Sequence, residues 1–154
     1  MMPTRSILFV CLGNICRSPL AEAALRDAAA RAGVDLEVDS AGTGAWHVGD
    51  PPDRRAQAEA RRHGIDISGY RGRQVQAADF QRFTHIYALD HDNLAELRRR
   101  MPVDATAVVA LLMDVVPARA GQAVADPYYG DAAGFAVTWG DVSAAAAAIV
   151  AGLR

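Results

Sequence analysis

Cysteine is scarce in this chain of 154 residues: there are two, at positions 11 and 16. That is too few for the disulfide framework of a small secreted domain, and too few for a structural zinc site. The four histidines, at 47, 63, 85 and 91, show no ligand spacing, so no metal and no other cofactor is expected. Long apolar runs are missing near the N-terminus. The run after Arg5 ends at Cys11, far short of the roughly 20 residues of a membrane span, and nothing resembles a signal peptide. The cytoplasm is therefore the expected compartment, with no membrane partner. Strong charge is absent too: the net value is −2, which argues against a nucleic-acid surface. The arginine clusters 54–55, 61–62 and 98–100 read as solvated helix faces. There is no internal repeat, no linker and no low-complexity segment beyond Ala144–Ala148.

What is present is enough for one compact domain spanning 1–154, with 51% apolar residues to fill its core. Its default state is a monomer. Arg5 to Val10 reads as a strand covered on both faces. Ser18-Pro19 signals a helix start, serine as cap and proline at the first helical position. That helix runs to about Ala32, with Ala21, Ala24, Leu25, Ala28 and Ala32 on one face, and stops at Gly33. A second strand is expected over Val34–Asp39, and strand, helix, strand in this length is a parallel βαβ unit. Residues 45–52 read as a loop, Asp53–His63 as a helix, and Ile65–Gln76 as irregular. A helical turn at Ala78–Gln81 precedes a strand over Thr84–Leu89. A helix at Asn93–Met101, a strand at Thr106–Leu112, a connection over 113–125 and a helix at Ala132–Gly152 complete the chain. The alternation makes the fold α/β, a three-layer sandwich around a four-stranded parallel sheet. Cys11, Ser40 and Asp90 each follow a predicted strand, so all three are expected on the ligand-binding edge of that sheet.

The chemistry concentrates in Val10-Cys11-Leu12-Gly13-Asn14-Ile15-Cys16-Arg17-Ser18-Pro19. A free cysteine titrates near 8.5, so a nucleophilic thiol needs help to ionise at neutral pH. Three sources of help lie at hand. The helix start offers unbonded amides and the positive end of a dipole. The loop 12–17 can turn N–H groups inward as an anion nest, with Gly13 and Asn14 tolerating the needed backbone. Arg17 adds a planar fork matched to two phosphoryl oxygens. The same array would hold a tetrahedral oxyanion in line with the sulfur.

Cys11-x5-Arg17-Ser18 after an N-terminal strand, with Asp126-Pro127-Tyr128-Tyr129 near the C-terminus, resembles the low-molecular-weight protein tyrosine phosphatases. The likeness also takes in Asp39-Ser40, Trp46-His47-Val48-Gly49, His63-Gly64-Ile65 and Arg73-Gln74-Val75, and so covers essentially the whole chain. It implies a flavodoxin-like fold and hydrolysis of phosphotyrosine through a phosphocysteine on Cys11. Arg17 would bind the phosphoryl group, and Asp126 would protonate the leaving phenolate and then activate water. Leu12, Gly13, Asn14, Ile15 and Cys16 would line the phosphate site, and Ser18 would hydrogen-bond the sulfur. Ser40 would support Asn14, with Asp90 and His63 as further loop supports. Trp46, Tyr128 and Tyr129 would wall the cleft. By position alone, Asp90 either pairs with Arg17 or caps the next helix, and His63 complements a helix dipole. In the family, the cysteine matching Cys16 can form a disulfide with the nucleophile. Phosphotyrosine-bearing proteins are the implied partners, a tyrosine kinase among them.

One departure stands out: Tyr70, in Gly69-Tyr70-Arg71-Gly72-Arg73-Gln74, occupies a place where many members carry a histidine. Two related activities compete. Arsenate reductases share the fold and loop but need resolving cysteines downstream, and none follows Cys16. Protein arginine phosphatases carry a threonine before the second cysteine, where this chain has Ile15. A non-catalytic phosphate-binding module is a third class, disfavoured by the presence of both nucleophile and acid.

Overall fold

The computed structural model describes residues 5–153. The apolar run after Arg5 forms β1 (Arg5–Cys11), buried from Ser6 onward. Its alternation divides the interior: Ile7, Phe9 and Cys11 join one core, and Leu8 and Val10 join another. Around β1 stand β2 (Leu36–Gly42), β3 (His85–Ala88) and β4 (Val108–Leu111), all parallel, in the order β2-β1-β3-β4. On the Phe9 side pack α1 (Arg17–Ala32), α2 (Arg54–Arg62) and α5 (Ala132–Gly152). On the Leu8 side pack the short α3 (Asp79–Arg82) and α4 (His91–Arg100). The three-layer α/β sandwich expected from the alternation is the observed architecture. Helix α5 is long and apolar enough by length and composition to cross a membrane. Here its Phe135, Val142, Ala145, Ala146, Ile149 and Val150 are buried in the core shared with α1 and α2.

Two boundaries differ from the sequence reading in ways that matter to the site. The second strand runs Leu36–Gly42 rather than Val34–Asp39. Ser40, Ala41 and Gly42 have turn-like chemistry, yet each pairs along β1, opposite Phe9, Val10 and Cys11. Sheet register overrides local propensity there. Their small size has a use: a Cβ on Gly42 would stand 2.8 Å from the Leu12 carbonyl oxygen, so the loop leaving β1 passes directly over this strand end. Likewise, α1 begins at Arg17 with Cys16 as N-cap and no side-chain cap. Ser18 is not the cap; it lies within the first turn, fully buried, with its hydroxyl turned toward the Cys11 sulfur.

Because the chain leaves β1 toward β2 on one side and β3 pairs on the other, the strand order reverses between β1 and β3. A crevice opens at such a point beyond the carboxyl ends of the strands.

Candidate active site

The loop from Leu12 to Cys16 fills that crevice. Its carbonyls are bonded outward: Thr43 N–H donates to Cys11 O (2.9 Å), Gly44 N–H to Leu12 O (2.9 Å) and Asp53 N–H to Ile15 O (2.8 Å). Among the described residues, the amides of Gly13, Asn14, Ile15 and Cys16 donate to no protein acceptor. Carbonyls held outside and unbonded amides left over are the makings of an anion cradle. Asn14 takes the left-handed conformation that the loop requires (φ 57°). Gly13 does not; its role is space, since a Cβ there would stand 3.2 Å from the His47 ring.

Asn14 is also the hub that fixes the loop. Its Nδ2 donates to Ser18 Oγ (2.8 Å) and Ser40 Oγ (3.0 Å), and its Oδ1 accepts from Arg73 N–H (3.0 Å). Ser40 Oγ donates to Glu22 Oε1 (2.7 Å), and Ser18 Oγ lies 3.0 Å from Cys11 Sγ. These contacts set a direction. A carboxylate can only accept, so Ser40 spends its proton on Glu22 and must accept from Asn14. Asn14 uses its other amide proton on Ser18, whose own proton has two acceptors in reach, the Cys11 sulfur at 3.0 Å and the Ala41 carbonyl at 3.4 Å. Burial pushes the Glu22 carboxyl up, against the opposing pull of Ser40 and Arg26.

Arg17 lies 2% exposed at the start of α1. Its Nη1 donates to Asp90 Oδ2 (2.7 Å) and to the Val124 carbonyl (3.1 Å). Its Nη2 sits 3.7 Å from Asp126 Oδ2. Burial works against the guanidinium charge, but Cys11, Asp90 and Asp126 more than offset it and hold Arg17 above its ordinary value. Asp90 does both jobs that sequence position allowed: its second oxygen, Oδ1, accepts from Asn93 N–H (2.7 Å) and caps α4. Asp126 is half exposed, its Oδ1 accepting from Tyr128 N–H (3.1 Å).

Above this floor opens a cleft of about 280 Å³. Cys11, Cys16 and Arg17 lie at its base, with Leu12, Gly13 and Ile15 along one side. Trp46, Tyr128, Tyr129 and Asp126 stand at its rim, joined by His47, which the sequence reading quoted but did not place in the site. The aromatics are open to solvent, Trp46 at 72% and Tyr129 at 93%. The Cys16 thiol is pushed far above the usual cysteine range, by burial first and by the Asp53 carboxylate second. His63, grouped above with the loop supports, sits elsewhere. It closes the C-terminal end of α2, with Nε2 2.8 Å from the buried Glu59 Oε2 and its ring stacked 4.5 Å from Trp139. Among the described residues, no cluster of three His, Cys, Asp or Glu side chains is placed to hold a metal ion.

A thiol under an amide cradle, an arginine fork and a facing carboxylate together suit phosphoryl transfer. The profile of the family described as low molecular weight phosphotyrosine protein phosphatase matches residues 6–154. This chain belongs to that family. A Bacillus subtilis (strain 168) member, the low molecular weight protein-tyrosine-phosphatase YfkJ, is 45% identical over 126 residues, 80% of this chain and 81% of its own. The YfkJ crystal structure superposes with a TM-score of 0.91 at 38% identity, covering 99% of this chain and 96% of that one. A low molecular weight protein-tyrosine-phosphatase of Streptomyces coelicolor is 42% identical over 156 residues, 98% of this chain and 94% of its own. The structure of DARP, drosophila arginine phosphatase, also superposes at 0.90, with 31% identity over 96% of this chain and 97% of that one. In this phosphatase family member, then, the flavodoxin-like fold and the loop after β1 agree with the lineage.

Proposed function

We propose that this protein is a single-domain phosphatase hydrolysing phosphotyrosine in proteins. The observation that carries the proposal is that Cys11, Arg17 and Asp126 line one cleft with the loop whose amides have no protein acceptor, Asp126 standing 3.7 Å from Arg17. The Cys11 thiolate attacks phosphorus, the bond to the tyrosine oxygen breaks, and Asp126 gives its proton to the departing phenolate. Asp126 then takes a proton from water as that water attacks the phosphocysteine, and the thiolate leaves with the Ser18 hydroxyl donating to it. Arg17 and the cradle amides meet the charge on the equatorial oxygens throughout, as electrostatic preorganisation requires. Acid–base assistance of this kind contributes about 10²–10⁴-fold. Partners on this reading are phosphotyrosine proteins, a tyrosine kinase included, met in the cytoplasm by a monomer.

A second reading, phosphoarginine hydrolysis, is favoured by the likeness to the drosophila arginine phosphatase. Against it stands Ile15, whose apolar side chain borders the cleft beside the aromatic rim and suits a phenyl ring. The test compares phosphotyrosine, phosphoserine and phosphoarginine peptides with wild type, Cys11→Ser and Asp126→Ala. Turnover is expected on phosphotyrosine alone, abolished in Cys11→Ser and strongly reduced in Asp126→Ala. Undiminished turnover by Cys11→Ser overturns the mechanism, and preferential release from phosphoarginine overturns the substrate.

A further inference from the structure

Asp126 lies on a segment, 126–130, with no regular secondary structure, yet the proposed reaction asks its carboxyl to be in place twice. Upstream, the segment is moored at Val124, whose N–H donates to the Leu89 carbonyl (2.8 Å) at the end of β3 and whose carbonyl accepts from Arg17. Downstream, among the described residues, the side-chain hydrogen bonds that reach the segment from outside it come from Arg55. Its Nη2 donates to the Tyr128 carbonyl (2.9 Å) and its Nη1 to the Gly130 carbonyl (3.0 Å). The guanidinium is fixed from behind by Asp53, whose Oδ1 accepts from Nε (3.1 Å) and Oδ2 from Nη2 (3.0 Å). It also lies 4.7 Å from the centroid of the buried Phe135 ring in the first turns of α5 and 5.6 Å from the Tyr128 ring. Every nitrogen of the fork is used. Arg55, read from sequence as part of a solvated face, is half-buried, and only its neighbour Arg54 is exposed.

Asp53 continues the connection. Its N–H donates to the Ile15 carbonyl inside the phosphate loop, and its carboxylate accepts from Arg55 N–H (2.8 Å) to cap α2. One Asp-x-Arg unit therefore touches the cradle with its backbone and the acid segment with its side chain.

We infer that Arg55 is a positioning residue for Asp126, a clasp that holds the 126–130 segment at a fixed distance from the phosphate loop through Asp53. This rests on the reading of Asp126 as general acid. Arg55 itself touches no reacting atom. Its loss frees the Tyr128 and Gly130 carbonyls to take water, and it leaves the Cys11–Ser18–Asn14 contacts untouched. Cys11 attack on a substrate with a good leaving group should therefore survive, while proton delivery to a poor one should not.

The experiment measures kcat/KM, which reports cleavage of the substrate, for a series of aryl phosphates of rising phenol pKa and for a phosphotyrosine peptide. The enzymes are wild type, Arg55→Ala, Arg55→Lys, Asp126→Ala and the Arg55→Ala/Asp126→Ala double variant. For Arg55→Ala we expect a loss of about 10- to 100-fold on the peptide and less than about threefold on the most acidic phenol. The alkaline limb of its pH profile should flatten, and that of Asp126→Ala should flatten likewise. Arg55→Lys should fall between, because one ammonium cannot span both carbonyls and Asp53. In the double variant, the leaving-group dependence should match that of Asp126→Ala alone. Equal losses across the series, or additive losses in the double variant, overturn the clasp while Asp126 keeps its role. A leaving-group-independent loss in Asp126→Ala overturns the acid assignment and the clasp with it. Should Arg55→Ala not fold, Arg55→Gln keeps a donor for one carbonyl and the stem over Phe135; the same selective pattern supports the clasp and a uniform loss refutes it.

Discussion

Replacing Asn14 probes both what holds the loop after β1 and what, in the proposed mechanism, feeds the nucleophile. Asn14→Ala removes the bonds to Ser18, Ser40 and Arg73. At about 1 kcal/mol net for each, the set is worth about 3 kcal/mol. Alanine at φ 57° adds about 1 kcal/mol of backbone strain, for a total near 4. Asn14→Gly escapes the strain but loses the same bonds, so it should lie about 1 kcal/mol above the alanine variant. With a urea slope of about 2 kcal/mol/M, the alanine variant's midpoint should fall by about 2 M. Asn14→Asp behaves differently. It keeps an acceptor for Arg73 N–H, and its other oxygen can accept from the Ser18 hydroxyl, but it buries a carboxylate that Ser40, its proton spent on Glu22, cannot serve, so stability falls at least as far as in alanine. That acceptance turns the Ser18 proton away from Cys11 and adds a negative charge beside the sulfur. Its kcat/KM on an aryl phosphate should therefore drop about 100-fold or more, comparable to the loss of one oxyanion donor. Aspartate should lie at or below alanine on both scales, in urea for its buried charge and in turnover for the diverted Ser18 proton. An Asn14→Asp variant within about threefold of wild-type activity, where a lost oxyanion donor would cost 10²–10³-fold, would refute the argument from hydrogen-bond direction.

Gly42→Ala should destabilise by about 1–3 kcal/mol through overpacking, because the new methyl meets backbone of the phosphate loop rather than a mobile side chain; a parallel fall in phosphate affinity, read by product inhibition, checks the cause. Asp90→Ala strands the buried Arg17 and uncaps α4, costing about 3 kcal/mol for the broken pair and about 1 for the cap. Inorganic phosphate should then raise its Tm more than that of wild type, since the anion restores a partner to Arg17. The Tyr70 phenol is pushed up to about 12 by burial first and the Glu22 carboxylate second. An unfolded tyrosine ionises near 10, so this contribution to stability is complete below pH 10 and is lost as pH rises from 10 toward 12; Tyr70→Phe should flatten that part of the stability profile. Iodoacetate at neutral pH should label Cys11 and spare Cys16, whose thiol burial keeps protonated; mass spectrometry of the peptide bearing both decides it. The same measurement after mild peroxide tests the Cys11–Cys16 disulfide expected from the family, and the absence of that bond would remove the redox role.

The loop after β1 is legible in the sequence because its pattern is local: strand, thiol, loop, arginine and helix start follow one another within a few residues. The sheet was legible because β1 is apolar on both faces, and elements alternate after it. What stayed hidden depends on partners brought from elsewhere in the chain. Arg55 looks like any arginine on a helix until Tyr128 and Gly130 arrive beside it. Glu22 left a trace, since it shares the buried face of α1 with Ser18, Leu25 and Ala29, and a carboxylate on an apolar stripe asks for a buried donor. Ser40 was placed after its strand rather than in it, because small polar residues signal turns in isolation. His47 stood among the residues quoted for the family likeness, but nothing in its spacing says that its ring lies against Gly13.

The two halves of the site are held by unequal means, and the chemistry proposed for them calls for that inequality. The cradle must present its donors to charge that develops on the phosphoryl oxygens, and any reorganisation at that moment would raise the barrier. It is accordingly locked by contacts running from Arg73, and from Glu22 by way of Ser40, through Asn14 to Ser18, which draw on α1, β2 and the connection before α3. Asp126 has another task. In the proposed mechanism it must meet a leaving oxygen in one step and a water in the next, with a substrate ring departing in between. A half-exposed carboxylate 3.7 Å from Arg17, on a segment moored at Val124 and at Arg55, has the freedom for both. Perturbing the buried lock should lower stability and turnover together. Perturbing the surface clasp should lower turnover in proportion to how much the leaving group needs a proton, and leave the fold nearly as it was.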